Sequence, residues 1–212
     1  MCSILNPGHD TVPLTLCPSV AIMRPAELTY PASLRLLTLD VARGLSFPDA
    51  ALPPSWNHTD YREVIGHGEQ EFRAAAYRLL SWRAHFSAGV RVSMDRVGSV
   101  EDAFVEDAAV GDKVCVHFGP TRSPCLVIHR ELTPTRAVVI YGTLPGHVER
   151  GEEAFIVEMD SQGVVTGRCV AFSQHAWWLA KLGSPVARLT QLWITRRYVR
   201  GMRPVSGCMQ AT

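Results

Sequence analysis

From Val90 to Phe172 the chain reads as a succession of strand-like segments joined by short connections, and this restricts the fold more than any other feature. Val90, Val92 and Met94 alternate with polar residues, as do Val114, Val116 and Phe118 after Gly111-Asp112. Leu126-Val127-Ile128, Ala137 to Tyr141, Ala154 to Met159 and Val164 to Phe172 follow. Asp160-Ser161-Gln162-Gly163 separates the last two and ends in glycine, as a hairpin loop does. Parallel strands need crossovers of about a dozen residues or more, so connections this short demand antiparallel pairing. The middle of the chain therefore reads as an antiparallel meander of about six strands.

Helical signals flank the meander. After Gly66-His67-Gly68, the residues Phe72, Ala75, Ala76, Leu79, Leu80 and Trp82 recur at helical spacing between Glu69 and Phe86. Glu69 and Glu71 fall in the first turn, where the helix dipole favours anions. Trp82 and Phe86 read as core, and His67 and His85 as solvent-facing or capping residues. A second periodic segment, Ala176 to Val199, places Trp178, Leu182, Val186, Leu189, Trp193 and Ile194 close to one face, with Tyr198 at its edge. Gly183-Ser184-Pro185 interrupts it, and proline's missing donor and ring clash predict a kink or short break there. Strands followed by a long amphipathic helix give an α+β class.

The bounds agree with one domain. At 212 residues the chain can bury a substantial core. Apolar residues at 47% and charged residues at 19% are an ordinary globular balance. A net charge of +1 gives no global field for nucleic acid, and no recognition motif accompanies the basic residues. No apolar run approaches a membrane span, and Arg24 is the first basic residue, so neither a secretory signal nor a transit peptide is expected. Cys2, Cys17, Cys115, Cys125, Cys169 and Cys208 form no CxxC pair and no zinc spacing. They read as reduced thiols in a cytoplasmic protein with no metal site and no cofactor. Residues 1–27, rich in proline, read as an irregular tail; residues 28–202 as the domain; residues 203–212 as a loose end.

The densest chemistry lies in Tyr141 to Phe155, YGTLPGHVERGEEAF. Pro145-Gly146 makes a turn, with proline presetting φ at the first central position and glycine accepting positive φ at the next. His147, Glu149, Arg150, Glu152 and Glu153 follow it. With the Ala171-Phe172-Ser173 triplet and the segment from Trp177 to Tyr198, this stretch resembles the DUF1990 family, also called UPF0548. The resemblance covers residues 28–202, is strongest from Val138 to Tyr198 and weakest from Ala32 to His58. It implies a START/Bet v 1-like helix-grip domain: a curved antiparallel sheet of about six to seven strands gripping a long C-terminal helix, with one further helix near residues 69–86. It implies no settled activity.

The leading expectation is a non-enzymatic binder of a small hydrophobic or amphipathic, lipid-like molecule in an apolar pocket between sheet and helix, lined by Tyr141, Thr143, His147, Phe155, Phe172, Trp178, Leu182 and Trp193. Tyrosine and tryptophan offer a polar handle on an apolar body, as pockets for lipid-like molecules require. The alternative is an enzyme in which His147, with Glu149 or Glu153, acts as acid and base on a hydrophobic substrate. A bland reading competes with both: Gly142, Pro145, Gly146 and Gly151 fix backbone shape while Glu149, Arg150 and Glu152 form solvated ion pairs. A third expectation is a membrane-surface or interaction protein acting through the basic amphipathic helix end, with Arg196, Arg197 and Arg200 in peripheral contact with an anionic membrane. No GxGxxG, GxxxxGK[ST], GxSxG or HExxH motif points elsewhere.

Overall fold

A computed structural model describes residues 28–47, 52–94, 107–175 and 184–205. The expected tail over residues 1–27, most of the C-terminal end, and Trp178 and Leu182 lie outside these described residues. The described elements run in order as a short helix α1 (Leu37–Ala42), strand β1 (Asn57–His67), helices α2 (Glu69–Leu80) and α3 (Arg83–Ser87), and strands β2 (Arg91–Met94), β3 (Lys113–Phe118), β4 (Thr121–Leu132), β5 (Arg136–Thr143), β6 (Glu149–Met159) and β7 (Val164–His175). The long helix α4 (Ser184–Gly201) closes the series.

All seven strands form one open sheet in the order β1-β7-β6-β5-β4-β3-β2, and every neighbouring pair is antiparallel. The meander thus forms as the short connections require, including the hairpin at Asp160–Gly163, where the Gly163 N–H donates to Asp160 O over 3.0 Å. The strand missed in sequence is β1. Its alternation of half-buried and exposed residues carries little apolar signal until Ile65, and it pairs with β7, remote in sequence, from Asn57 opposite Ser173 to His67 opposite Val164.

Residues opposite one another on antiparallel strands share a face. Thr59, Ala171, Glu153 and Tyr141 therefore form one row across β1, β7, β6 and β5. Tyr61, Cys169, Phe155 and Val139 form the next row on that face, which α2, α3 and α4 cover. Residues of opposite parity, including Val138, Ile140, Ala154, Ile156, Val170 and Phe172, face a second core closed by Leu28, Tyr30, Leu34 and α1. The sheet is buried on both sides, which explains why β5 reads as a continuous apolar run rather than an alternating one.

Two helices occupy the expected 69–86 segment. Ser81 turns its hydroxyl back to Tyr77 O at 2.6 Å, and Trp82 adopts left-handed backbone at φ 60°, redirecting the chain into α3. Trp82 is buried as expected, whereas Phe86 is exposed. His85, expected toward solvent, is fully buried among Trp82, Phe155 and Tyr198, with ring centroids at 5.0, 4.9 and 4.8 Å. Neither of its ring nitrogens has a hydrogen-bond partner among the described residues, and burial holds its pKa down at about 3. The described part of α4 begins at Ser184, and Gly183, with the rest of the expected interruption before it, lies outside the described residues. The face of α4 that meets the sheet is shifted from the expected one: Ile194 and Tyr198 pack inward as expected, joined by Thr195 and Val199, whereas Leu189 and Trp193 are exposed.

Gly142 is where the N-terminal segment meets the sheet. A Cβ there would lie 2.6 Å from Tyr30 Oη and 2.8 Å from Leu28 Cδ2. Gly142→Ala is expected to push Tyr30 off the sheet and to lower stability by about 2 kcal/mol in urea unfolding, within the range for overpacking. An unchanged midpoint would mean that this contact does not hold the segment.

Candidate functional site

The Pro145-Gly146 turn forms as read. His147 N–H donates to Leu144 O over 3.1 Å, and Gly146 has φ of 95°. The turn leads into His147 and Glu149, which both line a cavity of about 450 Å³ between the sheet face and α4. Its walls include Thr59, Tyr141, Glu153 and Ala171 from the sheet, and Ile194, Thr195 and Tyr198 from α4. Phe118 to Thr121, at the β3–β4 turn, forms the opposite lip.

Glu153 is the centre of this site. The Tyr141 hydroxyl donates to its Oε2 over 3.0 Å, and the Cys169 thiol to its Oε1 over 3.3 Å. It retains partial accessibility, and it lines the cavity. Burial pushes its pKa up to about 7, against the downward pull of the Cys169 and Tyr141 donors. Burial also pushes the Tyr141, Tyr198, Cys125 and Cys169 groups well above their ordinary values, so they stay neutral near pH 7. A carboxyl poised near neutrality, with two neutral donors on it, can take up or release a proton or bind a cation.

Other expected site residues have different roles. His147 lines the cavity, but its Nδ1 accepts the Glu149 N–H at 2.8 Å. Burial holds the ring down at about 4, so it is neutral at pH 7 and its Nδ1 is already engaged in shaping the loop. Thr143 also borders the cavity, yet its hydroxyl lies 2.5 Å from Thr29 Oγ1 and accepts the Gly151 N–H at 2.9 Å. Phe155 sits one row deeper, beneath Tyr141 and Tyr198 at 5.4 and 5.1 Å. Phe172 borders the cavity from its strand, while its ring packs with Tyr30 and Trp56 on the opposite face, each at 5.6 Å. Trp193 is 49% exposed and stands outside the cavity lining, its ring 6.3 Å from Phe118 and 4.7 Å from the Arg197 guanidinium.

Glu152 corrects the solvated ion-pair reading. It is 3% exposed and faces the second core, where Tyr30, Leu36 and Thr38 donate to it. One residue of strand register thus separates a carboxylate that anchors the N-terminal segment from one that faces the cavity. That parity was available in the sequence, since Glu153 shares it with Phe155 and Val157. Asn57, Thr59, Ser123, Cys125, Ala171 and Thr195 were not anticipated, because their convergence depends on β1 and α4 closing the two ends of the face.

The basic end of α4 is engaged with β1. Arg200 Nε lies 3.3 Å from Glu63 Oε2, Arg203 also pairs with Glu63, and Arg196 stands 5.8 Å over the Tyr61 ring. No described helix is long and apolar enough to cross a membrane. Among the described residues, no group of three or more His, Cys, Asp or Glu is placed to hold a metal ion.

Comparison with known proteins places the chain. A UPF0548 protein of Deinococcus radiodurans is 37% identical over 75 residues, covering 35% of this chain and 38% of that protein. One of Arabidopsis thaliana is 28% identical over 148 residues, covering 64% of this chain and 65% of that protein. The matches thus span less than two thirds of these relatives. A crystal structure of a hypothetical protein from Helicobacter pylori superposes with a TM-score of 0.51 at 11% identity, covering 69% of this chain and 85% of that one, a likeness of fold alone. The family described as a domain of unknown function, DUF1990, matches residues 42–201, and the chain belongs to it.

Proposed function

We propose that the protein binds a small hydrophobic or amphipathic molecule in the cavity between the sheet and α4. The observation that carries this reading is the cavity itself: about 450 Å³, walled by Val116, Phe118, Tyr141, Ala171, Ile194 and Tyr198, with a few polar groups at fixed positions. Ligand sites combine these two properties in this size range. The family resemblance supports the reading only as far as the fold, because no activity comes with it.

Ala171 provides the test. It lies in the row with Glu153 and Thr59, and it lines the cavity. Ala171→Phe is expected to fill the space and to weaken binding of a neutral apolar dye such as Nile red by roughly tenfold or more, with a cooperative melt retained. Saturable dye binding that ignores this substitution would place the dye elsewhere and sink the cavity as the site.

Glu153 favours a second reading, acid–base catalysis on the bound molecule. Its pKa, pushed up to about 7, suits a proton transfer near neutrality. In this reading Glu153, rather than the loop-bound His147, is the base. Hydrogen–deuterium exchange beside the carbonyl of a bound apolar ketone would then fall by about a hundredfold in Glu153→Gln. Equal exchange in variant and parent would remove the catalytic reading and leave the binding one.

A further inference from the structure

We propose that the ligand class of this cavity is the amphipathic organic cation, an apolar body carrying a basic nitrogen that pairs with the Glu153 carboxylate. This rests on the binding reading above and narrows it.

The argument is electrostatic complementarity in a confined space. Among the described residues that line the cavity, the ionisable ones are Glu149, Glu152 and Glu153, His147, and the tyrosines and thiol of Tyr141, Tyr198 and Cys125; no lysine or arginine is among them. Glu152 directs its carboxylate to the second core, where four donors satisfy it. His147 is held neutral by burial. Glu149 and Glu153 remain as the carboxylates that the described lining presents; Glu153 lies in the row with Tyr141, Ala171 and Thr59, and its described partners are Tyr141 and Cys169 rather than a cation.

An anionic head would meet the Glu153 carboxylate and, among the described lining residues, no lysine or arginine, so a fatty acid is the wrong complement. A neutral hydroxyl can donate a hydrogen bond to the ionised carboxylate but brings no charge to offset it. An ammonium makes the same hydrogen bond and also supplies the countercharge, whose attraction is strong where water is largely excluded. The rings of Tyr141, from the sheet, and Tyr198, from α4, also line the cavity, and a desolvated cation over an aromatic face is attracted by the ring's quadrupole. The apolar body would lie toward Val116, Phe118 and Ile194.

The groups facing Glu153 fix its behaviour with pH. They are Tyr141 on β5, Cys169 on β7, Cys125 on β4, Tyr198 on α4 and Glu149 on its own strand. The tyrosines and thiols remain neutral across the range in which Glu153 titrates. An ammonium ligand keeps its charge over that range as well. Its affinity should therefore follow ionisation of Glu153, weakening roughly 30-fold between about pH 8 and about pH 5.5.

Three probes of one shape decide the matter: naphthylethylamine, naphthylethanol and naphthylacetate, titrated into the full chain by fluorescence and calorimetry. At about pH 8 the amine is expected to bind roughly tenfold or more tighter than the alcohol, with the carboxylate weakest. The preference should shrink at about pH 5.5, and Glu153→Gln should abolish it while retaining alcohol binding. Equal affinity of amine and alcohol, tighter binding of the carboxylate, or an amine preference that survives Glu153→Gln overturns the proposal and leaves the cavity reading standing. Failure of all three probes to bind overturns both. Should Glu153→Gln not fold, the pH series on the native chain decides, since a pH-independent preference also refutes the role of Glu153.

Discussion

Glu152→Ala is expected to destabilise the protein by about 4 kcal/mol and to loosen the N-terminal segment first. The Glu152 carboxylate accepts from Tyr30 Oη at 2.7 Å, Leu36 N at 2.8 Å, Thr38 N at 3.0 Å and Thr38 Oγ1 at 2.5 Å. Alanine would leave these four donors without their acceptor, and the two backbone N–H groups cannot turn elsewhere. Each unsatisfied buried donor costs about 1–3 kcal/mol, which exceeds the gain from no longer burying a carboxylate. Burial pushes the pKa of Glu152 up, so the four donors compensate that cost without cancelling it. Urea unfolding gives the magnitude, and amide exchange at Leu36 and Thr38 gives the location. A loss below about 1 kcal/mol, or exchange that rises uniformly, would mean that the segment is held by its apolar contacts instead.

Glu153→Gln should act in the opposite direction, stabilising the protein at alkaline pH and flattening its pH dependence. The carboxyl of Glu153 titrates near pH 7 in the folded state against an ordinary value of 4.5. Between those values the folded state binds more protons than the unfolded state, so stability falls as pH rises. The favourable contribution is complete below about pH 4.5 and lost above about pH 7, a span of about 3 kcal/mol at 1.36 kcal/mol per pH unit. His85 and His147 act on the acid side. Burial lowers both pKa values, to about 3 and about 4, so their stabilising neutrality is present above their ordinary value of 6.5 and is lost as pH falls. Subtracting the variant's stability curve from the parent's isolates Glu153, because both histidines are common to the two. A difference curve that is flat from about pH 5 to about pH 8 would show that Glu153 titrates as an ordinary surface carboxylate and would weaken every role given to it above.

The sequence made the central part of the fold legible. Gly-terminated and Pro-Gly turns, with apolar runs on either side, fix local geometry within a few residues, and short connections leave antiparallel pairing as the available arrangement. The β6–β7 hairpin and the Pro145-Gly146 turn follow from such local rules. β1 was not legible, because its interior is half polar and its partner β7 is remote in sequence. The division of the 69–86 segment was hidden because periodicity continues through Ser81 and Trp82, while the left-handed backbone of Trp82 is supported by burial of its ring.

The site divides in the same way. Sequence brought His147, Glu149, Glu152 and Glu153 together in one loop and strand, but could not assign their roles. Strand parity sends Glu152 and Glu153 to opposite faces, and only the elements covering each face decide what that means: α1 and Tyr30 present donors to one carboxylate, while α4 leaves a cavity beside the other. Sequence by itself determined residue chemistry, turn positions and alternation along each strand, because these arise from contacts between chain neighbours. Tertiary structure alone decided which carboxylate is satisfied and which is poised, because desolvation and hydrogen bonding at a buried group depend on residues drawn from the whole chain.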